Sequence, residues 1–171
     1  YLILTHLRPD GDTLGSAAGL CHGLRAAGKT AFLLENAEIG DRLAFLCRGL
    51  MISEIPENAT IISTDIAAPR MLPENALPLL DRVALRIDHH GSGTSFAPLE
   101  LVDAACASCA ELIYDVLQEM GVELNEEMAT AIYTGTATDT GCFQYANTTA
   151  HTFSTAAACA GEDGVLILGA S

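Results

Sequence analysis

Three short apolar runs in this chain each end on a residue that carries chemistry. Tyr1–Thr5 runs into His6, Ala59–Thr64 into Asp65, and Val83–Ile87 into Asp88. Runs of this length, bounded by turn-forming residues, predict buried strands. Thr30–Leu34 and Leu99–Val102 read as two further strands. Between them the apolar spacing changes to that of helices. Thr13–Ala27 predicts a helix closed by Gly28, and Cys106–Met120 one closed by Gly121. Glu126–Thr136 has acids in its first turn, where they suit the helix dipole, and Thr149–Ala160 stops at Gly161. Asp41–Cys47 predicts a short helix, and Pro69, Pro73 and Pro78 limit the stretch around them to short helical pieces.

Strands that alternate with helices predict an α/β domain: a three-layer, Rossmann-like parallel sheet with helices on both faces. Gly15, Gly19 and Gly23 leave one face of the first helix nearly bare, a surface suited to close packing against the sheet. In open parallel sheets, ligands bind beyond the carboxyl ends of the strands. His6, Asp65 and Asp88-His89-His90 all fall at such ends. Asp139 follows a helix, in a turn rich in Gly and Thr.

Five of the ten aspartates and three of the five histidines lie in four places: His6-Leu-Arg-Pro-Asp10-Gly-Asp12, Asp65, Asp88-His89-His90 and Thr138-Asp139-Thr140-Gly141. Pro9 and Gly11 force a tight turn that lets His6, Asp10 and Asp12 converge, and Asp12 is also placed to cap the helix from Thr13. Carboxylates mixed with imidazoles suit a pair of divalent ions, Mn²⁺ or Mg²⁺ in preference to Zn²⁺. A carboxylate that bridges two ions roughly 3.5–4 Å apart holds a water between them, and hydroxide then exists at neutral pH to attack phosphorus. His22 and His151 sit in helices without visible partners and read as structural.

Composition excludes several classes. Half of the 171 residues are apolar and 18% are charged, which argues against disorder. The net charge of −14 repels phosphate backbones, so the domain alone is a poor ligand for long nucleic acid. No apolar run reaches membrane-spanning length, so no membrane partner is expected. Six cysteines fit neither a disulfide framework nor a zinc ribbon, and they read as buried thiols of a cytoplasmic protein. Both ends read as cut.

Taken together, the motifs resemble the DHH phosphoesterase family. They are His6-x-x-Pro9-Asp10-Gly11-Asp12-x-x-Gly15-Ser16, Asp65, Asp88-His89-His90 and Asp139-Thr140-Gly141. The segments Ala110–Tyr114, Ala131–Gly135 and Phe143–Tyr145 resemble the branch of oligoribonucleases and phosphatases of 3′-phosphoadenosine 5′-phosphate (pAp). The resemblance implies one Mn²⁺ on His6, Asp10 and Asp65, and a second on Asp12, Asp65, His89 and Asp139. His90 would contact the scissile phosphate, Asp88 would orient a histidine, and Arg8 is a candidate phosphate contact. Gly91-Ser92-Gly93 stands where the branch usually carries an Asn. The family also implies a helix ahead of the first strand and a C-terminal substrate-binding domain, so residues 1–161 read as the metal-binding domain and 162–171 as the start of a linker.

The resulting expectation is an Mn²⁺-dependent phosphohydrolase acting on short oligoribonucleotides, dinucleotides such as pApA, and pAp, through a metal-bridged hydroxide. A family II inorganic pyrophosphatase is the alternative within the same chemistry. A noncatalytic nucleotide-binding module is the alternative outside it. The expected partner is a short nucleotide, and a homodimer is compatible with the family.

Overall fold

The computed structural model of the chain describes residues 1–161. In chain order the regular elements are β1 (Leu2–Leu4), α1 (Gly11–Ala26), β2 (Phe32–Leu34), β3 (Met51–Ile52), β4 (Ile61–Thr64), β5 (Val83–Asp88), β6 (Leu99–Val102), α2 (Cys109–Glu119), α3 (Glu126–Asp139) and α4 (Ala150–Ala160). Short 3₁₀ segments cover Ala44–Cys47, Pro69–Met71 and Leu77–Arg82. The linker expected at 162–171 lies outside the described residues.

All six strands form one sheet in the order β3-β2-β1-β4-β5-β6, and every pairing is parallel. The chain winds outward from β1 to β3, returns to β4 beside β1, and winds outward again to β6. The strand order therefore reverses between β1 and β4, and the crevice beyond their carboxyl ends is where such sheets bind ligands. His6 and Asp65 follow those two strands.

Alternation along each strand feeds two cores. Ile3, Leu33, Ile62 and Ile87 face a large core shared with α1, α2 and α3. Leu2, Leu4, Leu34, Ile61 and Val83 face a smaller one, closed by Ile66, Leu72, Ala76 and Leu79. The three-layer α/β reading is thus realised with unequal layers. The α-helices build one face, and the proline-punctuated 3₁₀ segments cover the other.

Several local expectations change. The glycine face of α1 packs on other helices and not on the sheet. A Cβ at Gly15 would lie 2.4 Å from the Ala131 carbonyl of α3, and one at Gly23 would lie 2.2 Å from Leu117 of α2. The cap of α1 is Asp10, not Asp12: its Oδ1 accepts from the Asp12 and Thr13 amides, 3.1 Å each, and the helix starts at Gly11. The α3 helix runs on to Asp139, beyond the expected end at Thr136. Thr134, Thr138 and Thr140 donate their hydroxyls to carbonyls four residues back, so these polar groups are satisfied along the helix. The two-residue strand β3 is too short to leave a period in the sequence.

Candidate metal centre

The acids and histidines assigned above to the metals or the phosphate (His6, Asp10, Asp12, Asp65, Asp88, His89, His90 and Asp139) reach one crevice. His6 follows β1 by two residues, and its Nδ1 donates to the Leu7 carbonyl at 2.7 Å and leaves Nε2 free. Asn36, just past β2, braces this turn by donating to Thr5 Oγ1 and the His6 carbonyl. Asp65 directly follows β4 with a left-handed backbone (φ 59°), and its carboxylate faces the crevice. β5 ends at Asp88, and His89 and His90 follow. His89 Nδ1 bonds the Cys106 carbonyl at 3.3 Å, so again Nε2 faces inward. A ring nitrogen tied to a backbone carbonyl, with the other aimed at carboxylates, is the arrangement of a metal-ligating histidine.

These side chains fall into two sets. His6 Nε2 lies 3.7 Å from Asp10 Oδ1 and 3.6 Å from Asp65 Oδ2. His89 Nε2 lies 3.6 Å from Asp12 Oδ2, 3.7 Å from Asp65 Oδ1 and 3.5 Å from Asp139 Oδ2. The two oxygens of Asp65 thus point to different sets. The separations exceed hydrogen-bond length. They suit neighbours around an ion whose bonds are about 2.0–2.2 Å long. His6, Asp10 and Asp65 form one group of mutually close ligand atoms, and Asp12, His89 and Asp139 form another.

Electrostatics supports the same fit. Burial raises Asp12 well above the usual carboxylate range, with the charges of Asp65 and Asp139 adding to it. Burial also raises Asp65 and Asp139, against the opposing pull of His6 on the first and His89 on the second. Burial works against a charged His6, but Asp10, Asp65 and the Leu7 carbonyl outweigh it and push the imidazole up to about 10. Asp65 Oδ1 is buried and accepts no hydrogen bond. An orphaned carboxylate oxygen among repelling acids is the vacancy of charge that a cation fills.

Asp12 and Asp88 are held from behind. Asp12 sits in the first turn of α1 and accepts from the Cys109 and Ala110 amides of α2 at 2.7 and 2.9 Å, and from Ser16 Oγ at 3.2 Å. Asp88 Oδ1 accepts from His90 Nδ1 at 2.7 Å and from the His89 amide at 2.9 Å, while its Oδ2 is ion-paired with Arg86. Arg86 is itself buried and bonds the Ile66 carbonyl and Glu100. The bond to Asp88 first, with further help from the neighbouring acids, raises His90 despite burial. His90 Nδ1 is also 3.6 Å from Asp65 Oδ1. The shorter contact commits that nitrogen to Asp88.

Residues 1–136 match the DHH family, N-terminal domain. The chain belongs to the DHH family. Over 151 residues it is 38% identical to the bifunctional oligoribonuclease and PAP phosphatase NrnA of Thermus thermophilus, a match covering 86% of this chain and 45% of that one. Among solved structures, an exopolyphosphatase-related protein of Bacteroides fragilis superposes with a TM-score of 0.82 at 25% identity, covering 92% of this chain and 51% of the other. A Methanococcus jannaschii protein provisionally assigned as a family II inorganic pyrophosphatase gives a TM-score of 0.67 at 25% identity, covering 94% and 55%. The DHH chain described here spans about half the length of the curated relatives it matches.

Arg8 remains a candidate phosphate contact: it is exposed, has a left-handed backbone (φ 51°) and forms no ion pair among the described residues. Some features of this DHH domain depart from the sequence reading. Asp139 enters from the last residue of a helix, not from a turn. His151 has a partner, Asp115, at 3.1 Å. Cys142 is exposed, unlike the other five thiols. Arg86 was missed, although a cation in the apolar run Val83–Ile87, two residues before Asp88 and so on the same strand face, was a readable signal. Among the described residues no helix is long and apolar enough to cross a membrane.

Proposed function

We propose that this domain is the metal-binding half of a phosphohydrolase acting on short oligoribonucleotides and on pAp. The observation that carries the reading is the pair of ligand sets that share Asp65, with His90 beside them. His6, Asp10 and Asp65 would hold one Mn²⁺. Asp12, Asp65, His89 and Asp139 would hold the second, and Mg²⁺ has the same oxygen preference. When bound, the ions supply Lewis-acid charge compensation at phosphorus and a nucleophile available at neutral pH.

The chain's own residues supply position and a proton. Asp12 is fixed by two α2 amides, so its carboxylate is pre-oriented before any ion arrives. Asp88 holds His90 through Nδ1, which leaves Nε2 free on a side chain that is 41% exposed. Asp88 and the neighbouring acids favour the charged form of His90, and that form can donate Nε2–H to the leaving oxygen. Asp88 thus acts as a positioning residue for that donor. The resemblance to NrnA, stronger in sequence than that to a pyrophosphatase, supports nucleotide substrates.

The test uses the full-length protein with Mn²⁺. Phosphate release from pAp and cleavage of pApA are expected, and His90→Ala should lower turnover while elemental analysis still finds two ions. Rapid hydrolysis of pyrophosphate with no activity on pAp would overturn the substrate assignment. Tight nucleotide binding with neither metal nor hydrolysis would overturn the enzyme reading.

A further inference from the structure

A second group of metal-ligating side chains lies outside the DHH centre. Cys106 precedes α2, Glu111 lies in its first turn, and His151 lies in the first turn of α4. One ligand atom from each falls within 4.8 Å of the other two. Glu111 is fully buried. Its Oε2 accepts from the Ala107 amide at 3.0 Å, but its Oε1 has no hydrogen-bond partner. Leaving a buried carboxylate oxygen unpaired costs free energy unless something else meets it. The Cys106 sulfur is free and buried. His151 is half-exposed, and its Nε2 contacts Asp115 one turn along α2 from Glu111.

We propose that Cys106, Glu111 and His151 bind a zinc-class divalent cation, distinct from the pair assigned to the DHH centre. A thiolate, an imidazole and a carboxylate are a donor set for Zn²⁺, whereas the all-carboxylate and imidazole sets of the crevice are not selective for it. Around a tetrahedral ion with bonds of about 2.0–2.3 Å, ligand atoms stand roughly 3.3–3.8 Å apart, a separation compatible with three atoms that lie within 4.8 Å of one another. Three protein ligands leave one position, on the half-exposed His151 side, for water. Asp115 is placed as the outer carboxylate that orients the histidine. The ion would tie α4 to the segment leading into α2. Cys106 also anchors His89 through its carbonyl, and the Cys109 and Ala110 amides at the start of α2 donate to Asp12, so the ion would stiffen the wall behind the DHH centre.

Cobalt(II) tests this in the full-length protein, because sulfur-to-cobalt charge transfer in the near ultraviolet reports a thiolate ligand. The crevice sets contain no cysteine. The band should appear, saturate with one equivalent, and persist in Asp65→Ala and Cys109→Ser. It should vanish in Cys106→Ser, and His151→Ala should weaken cobalt binding at this site at least tenfold. His151 is half-exposed, so its variant carries the test should Cys106→Ser fail to fold. No charge-transfer band at saturating cobalt, a band that survives Cys106→Ser, a band lost in Asp65→Ala, or unchanged affinity in His151→Ala would each overturn the proposal.

Discussion

Gly15 sits where α1 meets the backbone of α3, and replacing it with alanine should damage stability and metal binding together. A Cβ there would stand 2.4 Å from the Ala131 carbonyl and 2.9 Å from the Gly135 amide, both backbone atoms that cannot swing aside. Ordinary contact begins near 3.4 Å, so the two helices must part by about 1 Å. Overpacking of this kind costs about 3 kcal/mol at the upper end of its usual range. The better helix propensity of alanine returns about 1 kcal/mol. A net loss of about 2 kcal/mol lowers the melting temperature of a domain this size by about 4–8 °C. The displacement also has a direction. Asp12 lies on α1 three residues before Gly15, and Asp139 lies on α3 one turn beyond Gly135. Metal–ligand distances tolerate about 0.2 Å, so a shift several times larger should empty the Asp12–His89–Asp139 set and spare His6, Asp10 and Asp65. Thermal melts and metal titrations of Gly15→Ala, beside Gly40→Ala where a Cβ meets nothing, read both effects. An unchanged melting temperature with two tight ions would refute the reasoning.

Asp65→Ala should bind at most one ion by elemental analysis, since both sets lose an oxygen; two retained ions would contradict the bridge. In chelator, His6 contributes stability through its charged form, because its folded pKa of about 10 lies above its unfolded value of 6.5. That contribution is present below about pH 6.5 and is lost as pH rises through about 10. Thermal melts of the metal-free protein compared with His6→Ala follow it. An ion must also displace that proton, so apparent Mn²⁺ affinity should rise between pH 7 and pH 9, and calorimetry in buffers of different ionisation enthalpy should detect the released proton. Arg86→Met leaves Asp88 and Glu100 without their cation and should cost about 3–5 kcal/mol in denaturant unfolding; a loss below the error of the measurement would assign Arg86 no part in holding Asp88.

The parts of the site that lie on strands were legible because a strand end is marked in sequence by where an apolar run stops. His6, Asp65 and Asp88 needed only that mark and the rule for parallel sheets. Asp12 and Asp139 needed more. They meet because glycines at 11, 15 and 135 let α1 and α3 approach closely, and spacing of four shows a bare helix face without showing which surface will cover it. The sheet was the natural guess, and helix α3 took the place. Residues 137–140 read as a turn because threonine is a weak helix former, whereas packing against α1 decided otherwise. His151 and Asp115 lie 36 residues apart, and only the docking of α4 on α2 joins them.

The left-handed backbone of Asp65 limits how this centre can change over evolutionary time. At φ 59° Gly, Asn and Asp sit most easily, and a Glu there would cost about 1–2 kcal/mol before it reached a metal. Of the three tolerated residues, only Asp offers two anionic oxygens. The position can therefore be inactivated by a single substitution, but it has no neighbouring alternative that keeps its role. Lineages that shift metal preference are expected to vary His6, His89 or Asp139, whose backbones are not left-handed, while Asp65 stays fixed or the activity is lost.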